Sequence, residues 1–255
     1  MLLLFGLFLG GWVYGLNQIF DIEGDRINRK NLPLPLGLVP LKSAWAISIA
    51  SAGLAAVLGF SLGIFTGIFA LLGLAMGYFY SHPRFRYKDK AWPAVILNGL
   101  GHGSLVYLIG WAAGGPLAWM MLVRMLPYAL AYAGVYIATA IPDIEGDRAT
   151  GKNTLAVELG GKRSIQIALG LIGIGSISGI LLSEPALFLT GLFALPFYIA
   201  VFIRKEGNFV RANQIAVLLL NIWICFYIFS YFIVLLAVIV LSRLYYTRRI
   251  GVNYP

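Results

Sequence analysis

The sequence predicts an all-α, multi-pass membrane protein, a bundle of about nine transmembrane helices, on three observations. Of 255 residues, 60% are hydrophobic and 11% charged, with a mean hydropathy of +0.85, far outside the soluble range. The apolar runs are about 17 to 25 residues long, enough at ~1.5 Å per helical residue to cross a hydrocarbon core of about 30 Å. The runs also lack the sustained apolar/polar alternation of barrel strands. In lipid, helix is then what remains to pair every backbone N–H and C=O.

The predicted spans lie near residues 1–20, 43–62, 65–81, 93–113, 117–142, 163–183, 186–203, 210–228 and 229–246. The first starts at Met1 without a basic flank and runs into acidic residues in place of a small-residue cleavage site, so it is expected to be a true span and not a signal peptide. The single cysteine, Cys225, lies in an apolar run. It excludes an intrachain disulfide and reads as a small buried hydrophobe.

Threading nine spans places residues 21–42, 82–92, 143–162, 204–209 and 247–255 on one face, and of the 19 lysines and arginines only Arg124 falls away from those segments. The opposite connections hold no lysine or arginine, so the charged face is expected to be cytoplasmic. The net charge of +9 is explained first by this topology and by anionic lipid, and nucleic acid is excluded as a partner. Arg124 is expected to snorkel outward.

The acidic residues need another explanation. Nine of ten, all but Glu184, share the charged face, and six of the nine lie in two copies of one hexapeptide. "DIEGDRINRKN" begins at Asp21 and "DIEGDRATGKN" at Asp143, identical at eight of eleven positions. An even number of spans separates them, which makes a parallel repeat within a single domain, 1–255, with halves of about 1–92 and 93–211. The second copy follows two spans and the first only one, so the repeat predicts a further helix ahead of the first copy.

Within each copy two aspartates stand four apart, Asp21 with Asp25 and Asp143 with Asp147. On a helix that spacing stacks like charges on one face, which is relieved by a cation between them. Four converging carboxylates suit Mg²⁺, which keeps part of its shell for water and substrate phosphate. Gly24 and Gly146 weaken the last turn, so the second aspartate of each pair is expected in a frayed end. Asn17 and Thr139 lie four residues before the first aspartates, one turn deeper, with Tyr136 about a turn further. Arg86, Lys88, Arg148 and Lys152 offer cations to a diphosphate. Asn98 and His102, four apart within one span, read either as groups that orient an acceptor, with His102 as a candidate base, or as a buried hydrogen-bonded pair. His82, beside Pro83, is expected to be structural, and Asn221 an interhelical hydrogen-bonding group.

Asn17-x-x-x-Asp21-x-x-x-Asp25, then "NLPLPLG", "YSHPRFRYK" and "IPDIEGDRATGKNTLAVELG" follow one another in an order and spacing that resemble the UbiA-type intramembrane prenyltransferases over nearly the whole chain. The resemblance implies a bundle around a central cavity with cytoplasmic cap loops. It implies that Asn17, Asp21, Asp25, Asp143 and Asp147 hold a Mg²⁺-diphosphate, and that Tyr80, Ser81, Arg86, Lys88 and Lys152 contact the diphosphate or close the cap. Two departures stand out: family members carry a helix before the first motif, and "NLPLPLG" lacks the arginine that many relatives place before it.

The expected reaction is transfer of an isoprenoid chain from a prenyl diphosphate to a lipophilic acceptor. Charge neutralisation drives loss of diphosphate, and a dry cavity shields the allylic cation. An aromatic or quinone-precursor ring is the expected acceptor, with a non-aromatic lipid or a tetrapyrrole as alternatives. A cation-coupled transporter is the rival of another class, though its site belongs near the midplane and not at helix ends. A non-catalytic membrane scaffold is the third reading.

Overall fold

The structure, a computed structural model, describes residues 3–27, 31–204, 209–249 and 251. A π-helical turn, Leu3–Leu9, leads into α1 (Gly10–Ile27), followed by α2 (Leu41–Leu62) and α3 (Ile64–Ser81). A 3₁₀ turn, Tyr87–Asp89, precedes one long rod made of α4 (Ala91–Asn98), a π-helical stretch (Gly99–Leu105) and α5 (Val106–Gly114). Then come α6 (Trp119–Ala140), the short α7 (Ile144–Ala149), α8 (Leu155–Leu181), α9 (Pro185–Arg204), α10 (Phe209–Tyr227) and α11 (Phe229–Arg249).

Seven of these are long and apolar enough to cross a membrane: α2, α3, the rod Ala91–Gly114, α6, α8, α9 and α11. Two of the nine predicted spans fall short of that measure for identifiable reasons. α1 carries Asp21, Glu23, Asp25 and Arg26 in its second half, and the apolar part of α10, Arg211–Tyr227, is shorter.

Breaks between helices follow local chemistry. Pro83 holds His82 in extended backbone (φ −62°, ψ 134°) just beyond α3, as a residue before proline requires. α6 ends at Ala140, and Ile141 before Pro142 keeps helical backbone (φ −65°, ψ −44°), so this break falls in the turn that follows and not at an extended residue. Between Leu155 and Leu181 the backbone kinks at Gly160, whose φ of 75° suits glycine.

Lipid gives apolar side chains no hydrophobic reason to associate, so close backbone approach at small residues does much of the packing. α6 is the central post. Gly103 presses on one side of it, where an added Cβ would lie 2.5 Å from the Tyr128 carbonyl oxygen, and Gly175 on the other, 2.7 Å from that of Pro127. A core of Ile137, Ala138, Leu155, Ile165, Ala168, Ile172 and Tyr198 joins α6, α8 and α9. A second, around Leu4, Leu9, Ala55, Ala70, Leu105 and Ile109, joins the first helices to the rod. α11 buries no residue, a surface tolerable in hydrocarbon and not in water.

Glu184 accepts hydrogen bonds from Tyr107 (3.1 Å) and Tyr128 (2.8 Å), which close the end of the bundle away from the acidic motifs. Arg124, expected to snorkel outward, has a buried Nε and sets its guanidinium 5.9 Å from the Trp111 ring centroid near the end of the rod, a cation–π contact. Cys225 is half-buried and not fully enclosed. Asn221 does bridge helices, accepting from the Tyr231 hydroxyl. His82 is structural, accepting from the Arg84 amide at 3.2 Å and packing on Tyr78 and Phe20.

Overpacking at these contacts should cost about 1–3 kcal/mol. Gly103→Val and Gly175→Val should lower the thermal unfolding midpoint in detergent. Gly173→Ala, which meets nothing within 4 Å, should hold or raise it.

Candidate functional site

The two hexapeptides, alike in sequence, fold differently. The first continues α1 to Ile27, so Asp21 and Asp25 stand on one unbroken helix. The expected fraying is absent at Asp25, which is inside the helix and only 5% exposed. The second follows the break at Pro142: Asp143 caps the short α7 with φ −93° and ψ 3°, and Asp147 lies within it. Thr139 and Asp143 therefore do not share a continuous helix, contrary to the spacing argument.

Two cavities meet at this end of the bundle. The polar one, about 210 Å³, is lined by the carboxylates Asp21, Asp89, Asp143 and Asp147, the cations Lys88 and Lys152, and the hydroxyl of Thr154. Below it an apolar chamber of about 520 Å³ runs among α1, α3, the rod and α6, past Leu9, Val13, Met76, Leu97, Leu105 and Val135. Asn17, Tyr80, Tyr136 and Thr139 line both and form the floor of one and the ceiling of the other.

The polar cavity is organised by acid–lysine pairs. Lys88 donates to Asp21 Oδ2 at 2.5 Å and to Asn17 Oδ1 at 2.8 Å. Lys152 lies 3.5 Å from Asp147 Oδ1, and Thr154 donates to Asp147 Oδ2 at 3.3 Å. A parallel bridge, Lys90 with Asn153 and Ala91 with Thr154, ties together the two loops that carry these lysines. Burial pushes the Lys88 ammonium below the usual lysine range, and the charge of Asp21 opposes that shift.

At the shared floor, Asn98 donates to the Tyr80 hydroxyl at 3.2 Å and to the Ala94 carbonyl at 2.9 Å. Tyr80 and Tyr136 both line this floor. Deeper in the chamber, His102 Nε2 faces the Tyr14 hydroxyl at 3.5 Å, and its ring stacks on Tyr132 with centroids 6.1 Å apart.

Of the residues singled out in the sequence, Asn17, Asp21, Tyr80, Lys88, Tyr136, Thr139, Asp143, Asp147, Lys152, Asn98 and His102 line one or both cavities. Asp25, Ser81, Arg86 and Arg148 do not. Ser81 is sealed inside the bundle at 1% exposure. Arg86 turns to Asp89, 2.5 Å away, from a left-handed backbone conformation (φ 43°). Arg148 is exposed in the last turn of α7.

Asp89 escaped the sequence reading. It lines the polar cavity, and its Oδ1 is buried without a hydrogen-bond partner. Its position outside the repeated motifs hid it, although it is one of the few acids on the charged face that they leave over.

Among the described residues no three His, Cys, Asp or Glu side chains are gathered closely enough to form a ready-made metal cage. The donor set nevertheless fits Mg²⁺: Asn17, Asp21, Asp143 and Asp147 offer hard oxygens to one cavity, and the buried Asp89 Oδ1 has no other partner. An incomplete protein shell is what Mg²⁺ tolerates when water and phosphate complete it.

A helical bundle with an apolar chamber under a charged roof suits an amphiphile with an anionic head. The chain belongs to the UbiA prenyltransferase family, whose sequence profile it matches over residues 1–223. It is 30% identical over 178 residues to 2-acyl-4-prenylphloroglucinol 6-prenyltransferase of Humulus lupulus, covering 66% of this chain and 44% of that one. It is 32% identical over 182 residues to homogentisate solanesyltransferase of Arabidopsis thaliana, covering 68% and 47%. The chain thus spans about half the length of these relatives. Its fold is similar to that of a UbiA homolog from Archaeoglobus fulgidus bound to DMAPP and Mg²⁺, with a TM-score of 0.66 and 20% identity over 86% of this chain and 83% of that one.

Removing one partner of a buried ion pair costs up to about 3–5 kcal/mol, because the other charge stays behind. Lys88→Met should therefore lower the unfolding midpoint measured without metal or diphosphate. Adding Asp21→Asn should recover part of the loss.

Proposed function

We propose that the protein is a Mg²⁺-dependent prenyltransferase that moves an isoprenoid chain from an allylic prenyl diphosphate to an aromatic or quinone-precursor ring. The observation that carries this reading is the direct junction of the two cavities. An anionic head placed among Lys88, Lys152 and the carboxylates leaves its hydrocarbon chain only one way to run, down past Tyr80 and Tyr136 into the chamber. The names of the relatives agree: one acts on a phloroglucinol ring and one on homogentisate.

In this reading Asn17, Asp21, Asp143 and Asp147 would hold Mg²⁺, with Asp89 and the substrate phosphates close by, while Asp25 lies outside the cavity lining. When bound, Mg²⁺ supplies neutralisation of the charge that grows on the departing diphosphate. Lys88 and Lys152 exchange their aspartate partners for phosphate oxygens and add to that stabilisation at no cost of recruiting charge from water. Tyr80 and Tyr136 mark the level at which the allylic carbon is exposed. The apolar walls below keep water from the cation, and Asn98 and His102 face the acceptor. Arg86 and Arg148, outside the cavity, belong to the loops that close over it, and Ser81 backs the wall behind Tyr80.

The same reading sets the protein in a membrane with nine spans, α1 and α10 completing the seven apolar helices. The two motif-bearing loops would cap a parallel pair of half-repeats on the cytoplasmic face. A transporter is disfavoured because the carboxylates crowd one end of the bundle and the chamber beneath them is apolar.

The test is release of diphosphate by the purified chain given geranylgeranyl diphosphate, Mg²⁺ and a panel of aromatic acceptors. Asp21→Ala and Asp147→Ala should each lower it by about 10²–10³-fold, the range for losing one group that stabilises transition-state charge. Chelation of Mg²⁺ should abolish it. Undiminished release from both variants would sink the proposal, and cation flux in proteoliposomes lost in the same variants would favour transport.

A further inference from the structure

The rod Ala91–Gly114 is not a regular α-helix where it borders the chamber. It widens into the π-helical stretch Gly99–Leu105, a form that is rare and concentrated at functional sites. The widened turn brings Gly101, His102 and Leu105 to the chamber wall. Among the described residues His102 is the only imidazole there, and no carboxylate or ammonium lines the chamber with it. Its neighbours are the Tyr14 hydroxyl from α1 and the Tyr132 ring from α6. The first contact, at 3.5 Å, is long enough to yield to a better partner, and the second fixes the plane of the ring.

Position along the rod sets what His102 can reach. Asn98 touches Tyr80 at the floor of the polar cavity, and His102 lies four residues on, about one turn deeper in the widened stretch. An allylic carbon just below the diphosphate stands near Tyr80. A ring attacking it would lie between Tyr80 and His102, with a hydroxyl ortho or para to the attacked carbon within reach of the imidazole.

Building on the prenyl-transfer reading, we propose that the acceptor is a hydroxyarene and that His102 is the base for its hydroxyl, held in plane by Tyr132 and handed the proton in place of its contact with Tyr14. The C1–O bond of the prenyl diphosphate breaks and its electron pair leaves with the diphosphate. A ring carbon ortho or para to the hydroxyl forms the new bond to C1 while the hydroxyl proton passes to His102, leaving a cyclohexadienone. The hydrogen on the attacked carbon then leaves as a proton to diphosphate, and His102 returns its proton to the oxygen as the ring becomes aromatic again. No oxidant or reductant is needed. An acceptor without an ionisable hydroxyl gains nothing from His102.

The experiment compares hydroxyarenes, homogentisate and 2-acylphloroglucinol, with their ring O-methyl ethers, using the full chain, geranylgeranyl diphosphate and Mg²⁺. His102→Phe preserves a ring to stack on Tyr132 and should slow prenylation of the hydroxyarenes by about 10²-fold, the lower end for losing a general base, while slowing the ethers by a much smaller factor. His102→Gln, which keeps a hydrogen-bonding group but no base, should lose kcat and hold KM within a few-fold. Equal slowing of hydroxyarenes and ethers, or full activity in His102→Phe, would overturn the assignment. Its failure is separable from that of the prenyl-transfer reading, which instead falls if the unaltered chain shows no Mg²⁺-dependent release of diphosphate.

Discussion

Opposite charge at close range holds the working end of this molecule together. Asp21 with Lys88 and Asp147 with Lys152 lie where water is scarce, and neither member of the buried pair could stay there alone. Lys88 arrives on a loop whose Phe85 packs on Tyr78 and Phe79, and Lys152 on the turn that follows α7. The two-residue bridge between 90–91 and 153–154 joins those loops edge to edge, so the position of each lysine depends on both. The polar cavity, its lysine-lined walls and the floor shared with the chamber all rest on that arrangement.

The pairs also bear on the proposed chemistry. A carboxylate already facing an ammonium is prepared for a cation, and an ammonium already desolvated is prepared for an anion. A bound metal-diphosphate would therefore exchange partners within an existing charge pattern and would not assemble one from water, which is how preorganised electrostatics lowers a barrier. The chamber beneath adds the complementary property. Its walls are aliphatic and aromatic apart from a few hydroxyl, amide and imidazole groups, among which Asn98 pairs with Tyr80 and His102 with Tyr14.

Much of this was legible in the sequence because it is written in local terms. Apolar run length and the even spacing of the acidic motifs announce helices, and the repeated aspartates announce a charged site at their ends. The reach of that logic ended where the backbone departed from a continuous helix. The spacing Thr139 to Asp143 implied one face, but Pro142 turns the chain and sets Asp143 at the cap of a separate short helix. Ser81 sits beside Tyr80 in sequence yet faces the packed interior, since neighbours on a helix point about 100° apart. Asp89 and Thr154 belong to no repeat, and only the meeting of two loops brings them to the cavity.

The sequence by itself determined the class of fold, the family and the residue types at the site, because composition, periodicity and motif spacing are properties of the chain taken in order. Tertiary structure alone decided which lysine meets which aspartate, that Asp25 and Ser81 stay out of the cavity, and that a π-helical turn presents His102 to the chamber beside Tyr14 and Tyr132. Those outcomes depend on helix packing at small residues such as Gly103 and Gly175. There the closeness of two backbones, set by contacts distant in sequence, fixes where every side chain along the helix ends up.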